Sequence, residues 1–470
     1  MLGRTRMLCL LIAGALNACN RARAPRPDIL LISIDSLRSD HLGCYGYAKP
    51  TSPRIDRLAA EGVRCETAIT TTSWTLPAHA AMFTGLFDSA HGVVDNGLAL
   101  APGHRTLAEL LKEDGYRTAG FFGGPYLHPV FGLGQGFDHY ESCMSAMPSD
   151  DAVLSMSQQD VNASHRDVTG PRTLDAFTRW LDGTSEEPLF AFVHLWDVHY
   201  DYIPPPEYAQ LFDPDYTGSL DASNLKHNQA IEPKMAPRDL QHLIALYDGE
   251  IRFTDDVIAK MLAALEKKGR LSNTLVVITA DHGQEFFEHG GKGHQTTLHE
   301  ELVRVPLVFW WPKELSTARV VHDQVRLVDV LPTILALASV DGVPRVQGRD
   351  IGPLLRGETL PPAPALCELY ADAKELSAVR TNALKVYRNR RTDGVVTGGF
   401  DLAADPGERA DLRNDARVQR GLADLQLELG LALEFHTKLG HGVRKIDVDA
   451  DMQRRLGTLG YTDGDGEKPK

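Results

Sequence analysis

DILLISIDSLRSD, residues 28–40, opens with an apolar, β-rich run from Asp28 to Ile34 and turns polar at Asp35. A strand that is buried on both faces has this composition, because helices cover both sides of a parallel sheet. Ligands of such open α/β sheets bind at the carboxyl ends of the strands. Asp35 is therefore the first candidate site residue.

Helical and strand-like patterns alternate downstream of this run. Helical patterns occur at residues 53–61, 79–85, 106–114 and 239–268, and strand-like runs at 118–122, 189–195, 275–280 and 306–311. This alternation predicts an α/β fold with a doubly wound, mostly parallel sheet flanked by helices. We expect this catalytic unit to span residues 28–345. Shorter segments rich in Gly and Pro predict a small C-terminal α+β subdomain at 346–440, with an antiparallel sheet and a helix at 417–435, and a tail at 441–470.

The first residues predict export. Arg4 and Arg6 precede a short apolar run that ends in Leu-Asn-Ala-Cys at Cys19. The run is shorter than the ~20 residues of a membrane-spanning helix, and it resembles a bacterial lipoprotein signal. We expect a signal peptide at 1–19, lipidation of Cys19, a tether at 20–27 and a lipid-anchored location in the bacterial envelope, on the periplasmic or outer-membrane face. An ordinary secretory signal is the alternative.

Composition excludes some partners. The net charge is −14 and no stripe of Lys or Arg occurs, so nucleic acid is not an expected partner. The four cysteines after Cys19 form no CxxC pair, which argues against a zinc knuckle. An oxidising compartment would allow one disulfide among them, with a pairing that sequence does not indicate.

Other predicted strands also end on polar residues. Asp281 and His282 follow LVVITA, and His194, Asp197 and His199 lie at the end of another run. Two carboxylates with an imidazole suit a divalent cation such as Ca²⁺, Mn²⁺, Mg²⁺ or Zn²⁺. A lone Asp after a strand usually caps a turn. Asp35 together with the Asp-His pair favours a metal site.

SWTLPAH, residues 73–79, carries a candidate nucleophile. Pro77 suits the first turn of a helix, which places Thr75 near the helix start, where free N–H groups face an anion. A hydroxyl that touches a cation loses its proton more readily and becomes a nucleophile. Thr75 as an ordinary N-cap is the alternative, and it is the better interpretation if no metal is nearby.

An ordered set of segments resembles the sulfatase family of the alkaline phosphatase superfamily, over roughly residues 27–340. FDLAADPGERADL, residues 400–412, also resembles the family's C-terminal subdomain. The segments within 27–340 are ILLISIDSLRSDHLGCYGY, TSPRIDRLAAEGV, SWTLPAHAAMFTG, GYRTAGFF with GQGFD, FVHLWDVHYDY, YDGEIRFTDD, LVVITADHGQEFFEHGG and RVPLVFWWP.

The resemblance implies roles for individual residues. Thr75 matches the nucleophile of the Cys/Ser-x-Pro-x-Arg motif, and His199 matches the histidine that assists the leaving group. Lys292 and His294 lie where the family places a basic residue against the anionic oxygens of the substrate. The implied metal ligands are Asp35, Thr75, Asp281 and His282.

Departures from the family pattern bear on the chemistry. Typical members convert the motif's Cys or Ser to formylglycine, whereas oxidation of Thr75 would give a ketone, so no formylglycine is expected. His79 replaces the motif's Arg, Ser36 replaces a second acid, and residues 123–127 replace the Gly-Lys-Trp-His block. Superfamily relatives with a Thr nucleophile act on phosphorus.

The resemblance thus implies a metal-dependent hydrolase or transferase of phosphate, phosphodiester or sulfate esters, acting through Thr75 on an anionic envelope or extracellular substrate. His199 or His294 is expected to protonate the leaving oxygen. One divalent ion is favoured, and a second would need Asp197, His199 and His294 as ligands. The alternatives are a sulfatase that works with unmodified Thr and a non-catalytic binding protein.

Overall fold

The computed structural model describes residues 26–95, 97–145, 167–371 and 374–446. The predicted signal peptide, the lipidation residue Cys19 and most of the predicted tether and tail lie outside these residues. No helix of the described residues is long and apolar enough to cross a bilayer. The cysteines of this part are free thiols, so they form no disulfide with one another: Cys44, Cys65, Cys143 and Cys367.

The strands of the described residues are numbered in chain order. They are β1 (Asp28–Ile34), β2 (Val63–Ile69), β3 (Leu98–Ala99), β4 (Arg117–Phe122), β5 (His139–Ser142), β6 (Leu189–Leu195), β7 (Thr274–Ala280), β8 (Glu285–Phe286), β9 (Lys292–Gly293), β10 (Arg304–Trp310), β11 (Arg319–Val321), β12 (Val325–Arg326), β13 (Ala365–Ala371), β14 (Lys374–Arg380), β15 (Leu384–Arg391), β16 (Gly394–Asp401) and β17 (Arg444–Lys445).

The helices of the same residues are α1 (Pro53–Glu61), α2 (Thr75–Thr84), α3 (Asp88–His91), α4 (Leu107–Glu113), α5 (Gly170–Asp182), α6 (Pro206–Ala209), α7 (Pro237–Lys267), α8 (Glu300–Val303), α9 (Val330–Leu337), α10 (Gly352–Leu355) and α11 (Ala416–Leu439). Their starts follow local chemistry. α4, for example, begins with a capping box in which Thr106 and Glu109 each bond the other's backbone N–H.

One mixed sheet of nine strands forms the centre of the described chain. Its order is β11-β2-β10-β7-β1-β6-β4-β5, and β12 pairs with β2. β1, β6 and β7 are buried along their whole length, as their apolar runs predict. Every neighbouring pair is parallel except those made by β10, which runs antiparallel to β2 and β7. The predicted doubly wound, mostly parallel sheet is confirmed.

A second sheet, β13-β14-β15-β16, is antiparallel, and α11 packs against it. This confirms the predicted C-terminal α+β subdomain. The structure differs from the predicted bounds in detail: α10 packs on β11 and α9 of the large unit, and the second sheet begins only at Ala365. Where a tail was predicted from 441, β17 pairs with β3 and returns the chain to the large unit.

Candidate active site

Three neighbouring strands end at the same edge of the large sheet. Ile34, the last residue of β1, pairs with Leu195 of β6 on one side and with Ala280 of β7 on the other. The residues that follow these strand ends therefore meet, and they bring Asp35 and Asp281 together. Both carboxylates therefore lie at one edge of the sheet, as the strand pattern predicts.

Ser36 ties the two carboxylates to the backbone. Its φ of 56° lies in the left-handed region, which residues other than glycine rarely adopt. In this conformation the N–H of Ser36 donates to Asp281 Oδ1 at 3.2 Å, and its hydroxyl donates to Asp35 Oδ1 at 2.7 Å. The backbone N–H of His282 donates to the same Asp281 oxygen at 2.8 Å.

The second oxygen of each carboxylate lacks a hydrogen-bond donor. Asp35 Oδ2 and Asp281 Oδ2 are buried and meet no hydrogen-bond donor within the described chain. His282 Nε2 lies 3.4 Å from Asp281 Oδ2 and 4.0 Å from Asp35 Oδ1. Buried carboxylates are paired or coordinate metals, so the orphaned oxygens and the imidazole fit a divalent cation. Burial raises the pKa of Asp35 to about 6, with His282, Ser36 and Thr75 opposing that rise.

Thr75 is the first residue of α2, and the N-cap residue of that helix is Trp74. The ordinary N-cap interpretation of Thr75 is therefore wrong. Its hydroxyl instead lies 3.2 Å from His282 Nε2, inside the carboxylate cluster. The first turn of α2 also places the positive end of the helix dipole at this point. The Thr75 hydroxyl thus lies both at the start of α2 and beside the candidate cation site.

His79 supports the turn that carries Thr75. Its Nδ1–H donates to the carbonyl oxygen of Thr75 at 2.8 Å, and its Nε2 accepts from the Ser33 hydroxyl at 3.0 Å. Burial lowers the pKa of His79 to about 3, so the ring is neutral at physiological pH. The residue in the position of the family's Arg carries no positive charge and hydrogen-bonds the backbone of Thr75.

His199 and His294 lie on one side of the cluster. The rings of His294 and His282 are 4.3 Å apart, and those of His294 and His199 are 5.1 Å apart. His199 stacks on Trp196 with 3.8 Å between ring centroids. Gln284 accepts a hydrogen bond from His294 Nδ1 at 3.0 Å, an orienting contact for which the sequence carries no signal. His294 thus lies beside His282, and His199 lies on the far side of His294.

Two other candidates are held by other parts of the chain. The ammonium of Lys292 donates to the carbonyl oxygens of Asn228 and Ile231, at 3.1 and 2.6 Å. Asp197 accepts from the backbone N–H and the hydroxyl of Thr169 at 2.7 and 2.9 Å, at the start of α5. Thr169 therefore engages both oxygens of the Asp197 carboxylate, which the two-ion alternative would need as a ligand.

The mixed sheet, with its carboxylate and imidazole cluster at the strand ends, defines an enzyme of the alkaline phosphatase superfamily. Within it the chain belongs to the sulfatase family, whose profile matches residues 27–340. A second profile, described as N-sulphoglucosamine sulphohydrolase, C-terminal, matches residues 288–433. The implied family membership is confirmed over both units.

Individual relatives are more distant. The chain is 26% identical to the uncharacterized sulfatase YidJ of Escherichia coli, over 69% of this chain and 70% of that protein. It is 25% identical to the Delta 4,5-hexuronate-2-O-sulfatase of Bacteroides thetaiotaomicron, over 94% and 95%. Its fold matches the phosphonate monoester hydrolase of Agrobacterium radiobacter with a TM-score of 0.71 at 23% identity, covering 90% of this chain and 97% of that one.

Proposed function

We propose that the protein is a divalent-metal-dependent enzyme that cleaves or transfers phosphate-type esters with unmodified Thr75 as its nucleophile. The observation that carries the proposal is the Thr75 hydroxyl, 3.2 Å from His282 Nε2 at the start of α2. The neutral state of His79 supports it, because this position no longer supplies a cation to the substrate. The similarity to a phosphonate monoester hydrolase fits the same chemistry.

Asp35, Asp281 and His282 would hold the metal, which when bound supplies Lewis-acid stabilisation to the reacting oxygens. Thr75 gives its hydroxyl proton to solvent as Oγ1 attacks phosphorus, and the bond to the leaving oxygen breaks while an O–P bond to Thr75 forms. His199 or His294 gives its proton to the leaving oxygen. Water or an acceptor hydroxyl then attacks the same phosphorus and returns a proton to the histidine, while the O–P bond to Thr75 breaks and Thr75 Oγ1 takes a proton from solvent. His79 keeps the first turn of α2 in place.

The test is a panel of aryl phosphate monoesters, phosphodiesters and sulfate esters, assayed with Mn²⁺, Zn²⁺ or Ca²⁺. Phosphate-type esters are expected to turn over faster than sulfate. Thr75→Val keeps the shape of the side chain but removes the nucleophilic oxygen, and a loss on the order of 10³ or more in kcat is expected. Thr75→Ser keeps the oxygen and serves as the control. A Thr75→Val enzyme with wild-type turnover would overturn the proposal.

A sulfatase that works with unmodified Thr75 is the second candidate, because the family profile and the curated relatives carry that name. Its substrates would be sulfate esters of sugars. Faster sulfate than phosphate turnover in the panel would favour it. Mass spectrometry of the peptide that contains Thr75 would show whether the residue is modified.

The proposed location is the cell envelope, with Cys19 lipid-modified. Labelling of cells with a radioactive fatty acid should mark the wild-type protein and leave Cys19→Ser unmarked. Equal labelling of the two proteins would contradict the anchor.

A further inference from the structure

A cavity of about 320 Å³ lies where the C-terminal sheet faces the large unit. One wall is formed by His289, Thr297, Leu298 and His299, which belong to the same segment as His294, and the other wall by β14, β15 and β16. The cavity and the proposed metal site thus border one segment but share no lining residue. Ligand pockets start at roughly this size, ~300 Å³, so a ligand of one or two rings would fill it.

Strand alternation decides which side chains of β15 form the wall. Successive side chains of a strand point to opposite faces, so Lys385, Tyr387 and Asn389 share one face. Lys385 reaches Glu300 of the large unit at 3.2 Å, so this face is turned toward that unit. Phe400 of β16 pairs with Lys385 across the strands and lies on the same face. The sheet therefore presents aromatic side chains to the cavity.

Four rings adjoin one another along the cavity. Those of Tyr387 and Phe400 are 5.8 Å apart and nearly parallel, at 23°. The ring of His299 lies 5.6 Å from Phe400, and His289 stacks on His299 at 3.6 Å. Leu376 adds an apolar side chain to the lining. This wall favours a planar aromatic group over a sugar, because the hydroxyls of a sugar would lose water there without gaining partners.

Two guanidinium groups of the lining face only neutral partners. Arg391 and Arg409 both line the cavity and are exposed, which places them at its mouth. Among the described residues Arg391 donates to the side-chain oxygen of Asn389 at 3.1 and 3.2 Å, with the amide oriented to accept. Arg409 donates to the carbonyl oxygen of Glu288. Neither guanidinium is paired with a carboxylate of the described chain.

Other cations of the lining are paired with acids. Lys385 lies 2.9 Å from Glu408, and Arg413 lies 2.5 Å from Asp411. The protein as a whole carries a net charge of −14, so cations without an acid partner are not the general pattern of its surface. Thr297 also lines the cavity, and its buried hydroxyl has no hydrogen-bond partner within the described chain. A planar guanidinium matches the oxygens of a carboxylate, sulfate or phosphate group.

We propose that this cavity binds a small aromatic anion, a planar group of one or two rings that carries a carboxylate, sulfate or phosphate. The ring lies against Tyr387 and Phe400, and the anionic group reaches Arg391 and Arg409. The site is separate from the metal site, and the inference does not rest on the proposed function.

The experiment measures the affinity of the full-length protein for three probes by calorimetric titration at low salt. The probes are 2-naphthoate, the uncharged 2-naphthalenemethanol and cyclohexanecarboxylate, which has the charge without the aromatic ring. We expect 2-naphthoate to bind at least about 10-fold more tightly than either of the others, because hydrogen bonds to a charged group are about twice as strong as neutral ones and the ring adds stacking.

Exposed arginines allow matched variants that leave the core intact. Arg391→Gln and Arg409→Gln should each weaken 2-naphthoate about 5-fold or more and leave the affinity for the alcohol unchanged. Arg390→Gln is the control. Arg390 is the neighbouring residue on the opposite face of β15, where it pairs with Glu375 at 3.2 Å, and its loss should not change either affinity.

A chelator separates this cavity from the metal site. Binding of 2-naphthoate should be the same before and after metal is removed, and the same in Thr75→Val. Loss of binding with the metal, equal affinity for the acid and the alcohol, or equal effects of Arg390→Gln and Arg391→Gln would overturn the proposal, and so would the absence of binding. If the probe binds as expected while no phosphate ester is cleaved, the proposed function fails and this inference stands.

Discussion

Two buried clusters of carboxylates differ in whether Lys and Arg side chains of the described chain pair with them. The site cluster consists of Asp35, Thr75, Asp281 and His282. Within the described chain no Lys or Arg bonds to its carboxylates, and one oxygen of each lacks a donor. The junction cluster joins the large unit to the C-terminal sheet and is made of His299, Glu300, Arg380, Lys385 and Glu408.

In the junction cluster the chain supplies its own cations. Arg380 donates to both oxygens of Glu300 at 2.9 and 2.8 Å. Lys385 lies 3.2 Å from Glu300 and 2.9 Å from Glu408. Glu408 also receives the backbone N–H of Glu300 at 2.7 Å. Both clusters bury carboxylates, but of the two only the junction cluster contains Lys and Arg side chains that pair with them.

The largest expected effect is on the site cluster. Asp281→Asn keeps the oxygen that accepts from Ser36 and His282 but removes a charge that the metal needs. We expect turnover to fall on the order of 10³ and the metal to be lost on gel filtration. Metal-free Asp281→Asn should unfold at the same or a higher denaturant concentration than metal-free wild type, because a buried uncompensated charge is gone. A less stable metal-free variant would contradict the comparison.

The next effect is on the junction cluster and has the opposite sign for stability. Lys385→Met keeps the length of the side chain but leaves Glu408 buried without its cation. We expect a loss of about 3 kcal/mol in unfolding free energy, measured by denaturant titration. Adding Glu408→Gln should recover part of the loss, because the unpaired carboxylate is then neutral. If the single variant is as stable as wild type, the junction cluster is not what holds the two units together.

A smaller effect is expected at His79, and it separates support of the nucleophile from contact with substrate. His79→Leu breaks both hydrogen bonds of the ring, and kcat should fall about 10–100-fold, since misplacing a reacting group has costs of this order. His79→Asn can still donate to the Thr75 carbonyl and should lose less. Because the pKa of His79 is lowered to about 3 by burial, the pH–rate profile should keep its shape above pH 4 in both variants. A changed profile would mean that His79 acts on the substrate.

The sequence predicts the site cluster better than the junction cluster, because the site carboxylates follow recognisable strands. Asp35 and Asp281 each follow a continuous apolar run, which predicts a strand buried on both faces. The strand pattern therefore predicts that the two carboxylates lie at the same edge of the sheet. The contact of His194 Nδ1 with the Gly123 carbonyl oxygen joins residues 71 positions apart, which no local pattern encodes. The sequence also does not predict that β10 runs antiparallel to its neighbours, because an apolar run has the same composition in either direction. The junction cluster joins Glu300 to residues 80, 85 and 108 positions further along the chain, which local composition does not encode.

The smallest expected effect concerns His289, whose ring nitrogens face two acceptors, the Glu301 carboxylate at 2.7 Å and the Glu408 carbonyl oxygen at 3.2 Å. Burial alone would lower its pKa, but the hydrogen bond and charge of Glu301, 2.7 Å away, leave the pKa raised above 6.5. A raised histidine pKa means that the folded state binds the proton more tightly. The stability it contributes is fully present below about pH 6.5 and is lost as the pH rises through the raised pKa.

Wild type should therefore lose more stability between pH 6 and pH 8 than His289→Gln, by less than about 1 kcal/mol because the pair is partly exposed. Denaturant midpoints at the two pH values measure the difference. His139→Gln removes an exposed His–Glu pair, that with Glu141 at 2.8 Å, and is the matched control. Its pH dependence should follow wild type. If His289→Gln also follows wild type, the loop at the junction is not held by a protonated histidine, and the fixed charges of Lys385 and Arg380 carry the junction alone.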